Sequence, residues 1–172
     1  MARNGRQLTR RSNATVLPLE LFFDLVFVLA VTQCTALMAA NPTWSGMGQG
    51  LLALTALWWA WTSYAWLTSV IDPEQDATRI TIFSAMGAML VVSLCVPEAF
   101  GDLALTFALA YAAVRSIQIL LFTLASPDDA DLRRSVLGLG ISSAISVGLL
   151  VGAAFVDAPC REVLWLIAIL CD

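Results

Sequence analysis

The chain has 172 residues, of which 59% are hydrophobic and only 13% charged, whereas ordinary soluble domains carry about a quarter. A mean hydropathy of +0.82 points to a lipid bilayer as the solvent, and the gaps between apolar runs are too short to hold a separate soluble domain. The net charge of −4 is spread over those gaps without a basic stripe, which argues against nucleic-acid binding.

No histidine occurs, so His-based acid–base chemistry, Ser-His-Asp triads and His-ligated zinc or haem are excluded together. Cys34, Cys95, Cys160 and Cys171 lie far apart, with no C-x-x-C pair, and read as free, buried, small apolar side chains. No glycine-rich phosphate cradle and no calcium-loop spacing is present. The expectation is a protein with no cofactor and no metal, and not an enzyme.

Residues 1–16 form a polar arm with Arg3, Arg6, Arg10 and Arg11. The apolar run after it is too long for a signal peptide and holds acids, so it reads as a retained first span. Residues 17–172 then read as one transmembrane helical domain. Span one covers about 17–40, with Pro18 suited to a first helical turn. Asn41-Pro42 ends it, and Gly46 to Gly50 is expected to loosen the return.

Span two, about 51–71, holds Trp58, Trp59, Trp61, Tyr64 and Trp66. Trp66 and Tyr64 suit an interfacial aromatic belt, while the three deeper tryptophans suit helix packing or the lining of a cavity. Span three covers about 78–96. After the acidic turn Pro97-Glu98-Ala99-Phe100-Gly101-Asp102 comes span four, about 103–125, and span five covers about 135–156. The last run, 163–171, is shorter than the ~20 residues a crossing needs, and reads as the start of a sixth span in a longer protein. The loop acids Asp72, Glu74, Asp76, Asp128, Asp129 and Asp131 read as solvated. The expected fold class is therefore all-α: a polytopic helical transmembrane bundle of five complete spans plus the start of a sixth.

With the N-terminus inside, the cytoplasmic side holds Arg3, Arg6, Arg10, Arg11, Arg79, Arg133 and Arg134, the outer side holds Arg161, and Arg115 lies in the bilayer. This arginine asymmetry predicts a cytoplasmic N-terminus.

Polar residues inside the spans are the candidates for function. Glu20 and Asp24 lie four apart and share a helix face. A carboxylate at that depth is costly and faces protein or a water-filled cavity. Tyr111, Arg115 and Gln118 share a face of span four in the same way. Asp24 lies ~10 Å above the cytoplasmic start of span one and Arg115 ~15 Å above the cytoplasmic end of span four. Antiparallel packing of these spans would pair Arg115 with Asp24 or Glu20. Such a pair either fixes helix register or lines a site for an ion, proton or small solute. On span five, Gly140, Ala144, Gly148 and Gly152 recur every fourth residue, a spacing that lets helices approach closely within the chain or between subunits of a homo-oligomer.

Three stretches in order carry a resemblance: Pro18-Leu19-Glu20-Leu21-Phe22-Phe23-Asp24-Leu25-Val26-Phe27-Val28, then Trp58-Trp59-Ala60-Trp61-Thr62, then Pro97-Glu98-Ala99-Phe100-Gly101 followed by Ala110-Tyr111 and Arg115. Together they resemble the bacterial low temperature requirement protein A family, nearly throughout the chain after the arginine arm. The resemblance implies a multi-pass protein of the bacterial cytoplasmic (inner) membrane, a link to growth in the cold, and a C-terminal half beyond this sequence. It carries no settled biochemical activity. The expected function is a transporter or channel-like protein with an intramembrane acid/arginine site at Glu20, Asp24, Tyr111, Arg115 and Gln118, acting on an ion or small solute. The alternative is a non-transporting membrane scaffold or assembly factor. An intramembrane enzyme resting on carboxylates alone comes third.

Overall fold

In lipid a backbone must satisfy its own N–H and C=O groups, so apolar runs of this length become helices. The computed structural model describes residues 18–70, 76–125 and 130–172. The elements are α1 (Pro18–Ala40), α2 (Trp44–Val70), α3 (Asp76–Cys95), a 3-10 turn (Val96–Glu98), α4 (Ala104–Ala125), α5 (Ala130–Ala153) and α6 (Cys160–Cys171), with no strand among the described residues. The arginine arm, the acids at 72, 74, 128 and 129, and the side chains of Glu20, Asp76, Asp131, Arg133 and Arg134 lie outside what is described.

Among the described residues, four helices are long and apolar enough to cross a membrane, at Leu21–Ala40, Thr78–Glu98, Ala104–Thr123 and Val136–Ala153. The protein is thus an all-helical integral membrane protein. α2 is the exception among the expected spans. Its 27 residues extend ~40 Å, ample for a crossing, but its tryptophans, glycines and hydroxyl side chains dilute its apolar character.

α2 also begins earlier than the glycines suggested. Pro42 ends α1, and Thr43 then acts as a helix cap: its Oγ1 accepts the Gly46 N–H at 3.2 Å, while its hydroxyl donates to Asn41 Oδ1 at 3.0 Å. A side-chain acceptor at this position satisfies one of the donors that a helix start leaves open. Gly46 and Gly50 do not loosen the return. They let the start of α2 lie against the end of α1, because a Cβ at Gly46 would run into the Asn41 carbonyl and one at Gly50 into the Met38 side chain.

α1 packs on α2 and α3, α3 on α4, α4 on α5, and α5 on α6, while α2 also meets α4 and α6. The helices thus make two four-membered groups, α1–α2–α4–α3 and α2–α4–α5–α6, sharing the α2–α4 edge. Aromatic side chains fill the first group: Phe23 packs on Tyr64 at 5.2 Å and Phe27 on Trp61 at 5.3 Å between ring centres. Tyr64 is fully buried, not at an interface, and its hydroxyl donates to the Val114 carbonyl at 2.7 Å. Trp66 is exposed and stacks on Phe122. Cys34 and Cys95 are buried, Cys171 is half-buried and Cys160 is exposed, all as free thiols.

α6 is pinned at its start. Trp165 lies between Phe100 and Phe107, with ring centres 4.4 and 4.9 Å away. Arg161 Nε donates to the Val156 carbonyl at 2.9 Å, and its Nη1 donates to the Phe100 carbonyl. The α5–α6 connection is thereby fastened to the α3–α4 turn.

The small-residue ridge on α5 is not a close contact within the chain. A Cβ built at Gly140, Gly148 or Gly152 meets no atom within 4 Å, and Ala144 and Gly148 are exposed. α5 instead packs through Ser143, Ser146, Leu150 and Ala153, all buried. The spacing alone could not choose between these two faces, because both are rich in small residues.

Two glycine substitutions separate the two environments. Gly46→Ala should destabilise the protein by about 1–3 kcal/mol, since the obstructing atom is a backbone carbonyl. Gly148→Leu should leave thermal melting in detergent within about 0.5 kcal/mol of the parent. The opposite ranking would show that the ridge, and not the α1–α2 junction, is the tight contact.

Candidate functional site

The polar face of α4 is built by spacing alone: Tyr111, Arg115 and Gln118 sit at i, i+4 and i+7, one above another. The helix turns this face away from α1 and into the second group of helices, towards α5 and α6. Arg115 is 2% exposed. Its Nη1 donates to Gln118 Oε1 at 2.7 Å and its Nη2 to Ser143 Oγ of α5 at 2.9 Å. The same Nη2 makes an ion pair of 2.6 Å with Oδ1 of Asp172, just past the end of α6, whose side chain is 3% exposed.

The other groups complete a closed network. Ser143 Oγ, having accepted from Arg115, donates to Asp172 Oδ1 at 3.1 Å. The Tyr111 hydroxyl donates to Asp172 Oδ2 at 2.9 Å and lies 3.3 Å from the Ala56 carbonyl of α2. Tyr111 carries one proton, and the Asp172 oxygen is the nearer acceptor. Two donors of the network have no partner among the described residues, Arg115 Nε and Gln118 Nε2, both buried. A cleft of about 10 Å³ adjoins the network between α2, α4, α5 and α6, touched by Trp59, Tyr111, Ser146 and Asp172. That is room for about one water molecule.

The structure brings Tyr111, Arg115 and Gln118 together, and leaves Asp24 elsewhere. Asp24 is exposed, and its Oδ1 accepts the Trp61 indole N–H at 2.9 Å. The expected Arg115–Asp24 pair therefore does not form. The depth of the two residues is compatible, but their neighbours are not: α1 packs on α2 and α3, while the polar face of α4 looks to α5 and α6. Trp61 supplies the polar contact that Asp24 needs, and rests on Trp58 at 5.3 Å.

Asp172 and Ser143 are the residues that sequence reasoning missed. The signal for Asp172 was available in the same depth arithmetic. Counted from the α4 and α6 starts, which lie on one side of the bundle, Arg115 is ~17 Å deep and Asp172 ~18 Å. Ser143 lies beside the serines at 142 and 146, and no periodicity singles it out. A second polar link ties α2 to α6 near that same side, where Gln49 Nε2 donates to Glu162 Oε1 at 2.9 Å.

Removing either partner of a buried ion pair strands the other charge, at a cost of about 3–5 kcal/mol. Asp172→Asn and Arg115→Gln should each lower stability to that extent, while the double substitution recovers most of it. Asp24→Asn should cost under about 1 kcal/mol, because an exposed carboxylate with one indole donor has less to lose. Additive losses for Asp172 and Arg115 in a melting-based double-mutant cycle would refute their coupling.

No solved structure matches this chain. A curated protein of Rhizobium meliloti (strain 1021), itself described as uncharacterized, is 35% identical over 96 residues. The matched stretch takes in 56% of this chain and 24% of that protein, so the chain spans well under two thirds of its relative. A family profile described as bacterial low temperature requirement A protein (LtrA) matches residues 15–172, and with nearly the whole sequence covered, the chain belongs to the low temperature requirement A family.

Proposed function

We propose that the chain is the site-bearing part of a transporter or channel-like protein of the bacterial inner membrane, working on an ion or small solute. On this reading α1 to α5 all cross the bilayer, α6 enters it as a sixth span, and the N-terminus is cytoplasmic. The observation that carries the reading is the Arg115–Asp172–Tyr111 network itself. Ionisable residues in apolar spans are expensive and face the bundle interior or a cavity when they serve a pathway. Here they sit where four helices meet, beside a water-sized cleft, with two buried donors still unpaired. No catalytic chemistry is assigned.

A second reading is favoured by a different observation. Arg115 reaches α5 and α6 at once, so the network also serves as a clasp, as a non-transporting scaffold supporting growth in the cold would require. The Asp172→Asn/Arg115→Gln variant parts the two. In proteoliposomes of the full-length protein, a transporter should lose dye-reported ion or solute flux in this variant while its melting stays near the parent's. A scaffold should show no flux in the parent, and should complement cold growth with the double variant as well as with the parent.

The native thiols report orientation. Cys160 is exposed at the start of α6, on the outer side under this reading. A membrane-impermeant maleimide should modify it in intact cells, and Cys160→Ser should remove the label. Labelling only after permeabilisation would reverse the assigned topology.

A further inference from the structure

The environment of Asp172 is a receptor for a carboxylate. Its two oxygens are met by Arg115 Nη2 at 2.6 Å, Ser143 Oγ at 3.1 Å and the Tyr111 hydroxyl at 2.9 Å. Those donors come from α4 and α5, whereas the carboxylate comes from α6. Gln118, the remaining α4 side chain of the network, turns its Oε1 to Arg115 Nη1, and among the described residues two buried donors, Arg115 Nε and Gln118 Nε2, remain unused. The surplus is one-sided: the charged acceptor facing this donor set is the Asp172 side chain. A guanidinium keeps its proton, so a buried Arg115 is best matched by an anion, here the Asp172 carboxylate. Asp172 reaches this donor set from α6, an element separate from the α4 and α5 side chains that meet it, so an anion of the same shape can stand in for its carboxylate.

We propose that the α4–α5 pocket of Arg115, Gln118, Tyr111 and Ser143 binds small monocarboxylate anions of the formate and acetate class, with Asp172 as the tethered competitor. A planar pair of oxygens places one oxygen between Arg115 Nη2 and Ser143 and the other at the Tyr111 hydroxyl, as a spherical halide does not. The cleft beside Asp172 holds about one water, so the anion takes the place of the Asp172 carboxylate and does not bind alongside it. The inference names the cargo class of the proposed transporter, and to that extent rests on the transport reading; the binding pocket stands on the donor geometry alone.

Truncation supplies the test. Asp172→Ala removes the carboxylate and leaves a space that formate fills. In full-length protein, sodium formate at ten times its half-saturating concentration should raise the melting temperature of Asp172→Ala by about 2 °C. Acetate should act more weakly because of its added methyl group, and chloride or gluconate at equal ionic strength should do little. The parent should respond far less, because Asp172 competes, and Asp172→Ala/Arg115→Gln should not respond to formate at all. Equal shifts with every anion, or a formate shift in the double variant, would overturn the pocket. If Asp172→Ala yields folded protein only when purified in formate, that rescue is itself the expected result. If it folds in no buffer, line broadening of carbon-13 formate by the parent protein decides: broadening that unlabelled formate reverses upholds the pocket, and its absence rejects it. Anion rescue in a protein that passes no anion in proteoliposomes would keep the pocket and reject transport. Flux of cations without any anion rescue would do the reverse.

Discussion

Arg115 carries a charge that it cannot give up, in the middle of a helix otherwise suited to hydrocarbon. Transmembrane helices choose neighbours with little help from the hydrophobic effect, since lipid chains are as apolar as leucine. Polar groups therefore carry much of the directional information. One guanidinium turns α4 so that Tyr111 and Gln118 follow it inward, requires a hydroxyl from α5, and draws the end of α6 to its carboxylate. The second group of helices has its form because of that demand.

The α2–α4 edge shared by both groups rests on a related device. Tyr64 reaches the Val114 carbonyl of α4, and Tyr111 of α4 lies beside the Ala56 carbonyl of α2. Each phenol reaches from one helix to the other, Tyr64 bonding the α4 backbone and Tyr111 packing its tip against the α2 backbone while it donates to Asp172. A tyrosine buried in this manner supplies a large apolar body and a single polar tip. The aromatic residues that lower the hydropathy of α2 are thus part of what joins it to its neighbours, and Trp61 extends the same use outward by holding Asp24.

Much of this was legible in the sequence, and the limits are physical. Apolar run length located the helices, and the i, i+4, i+7 spacing placed Tyr111, Arg115 and Gln118 on one face. What spacing along one helix does not encode is which helix stands opposite. Depth matched Asp24 to Arg115 well enough, yet it matched Asp172 better, and only packing distinguished them. The glycines of α2 misled because a glycine-rich stretch reads as a loop unless its cap, here Thr43, is weighed against it. The ridge of α5 misled for the opposite reason: it has the form of a contact, and its neighbour Ser143 lies in the actual one.

The fastening of α6 has a mechanical consequence. At one end Arg161 and Trp165 hold it to the α3–α4 turn; at the other, Asp172 holds it to Arg115. A rigid rod secured at both ends transmits no movement. Released at Asp172, it can pivot about the Trp165 stack, carrying position 172 past the cleft. The same ion pair that sets where α6 stands thus also sets whether it can swing.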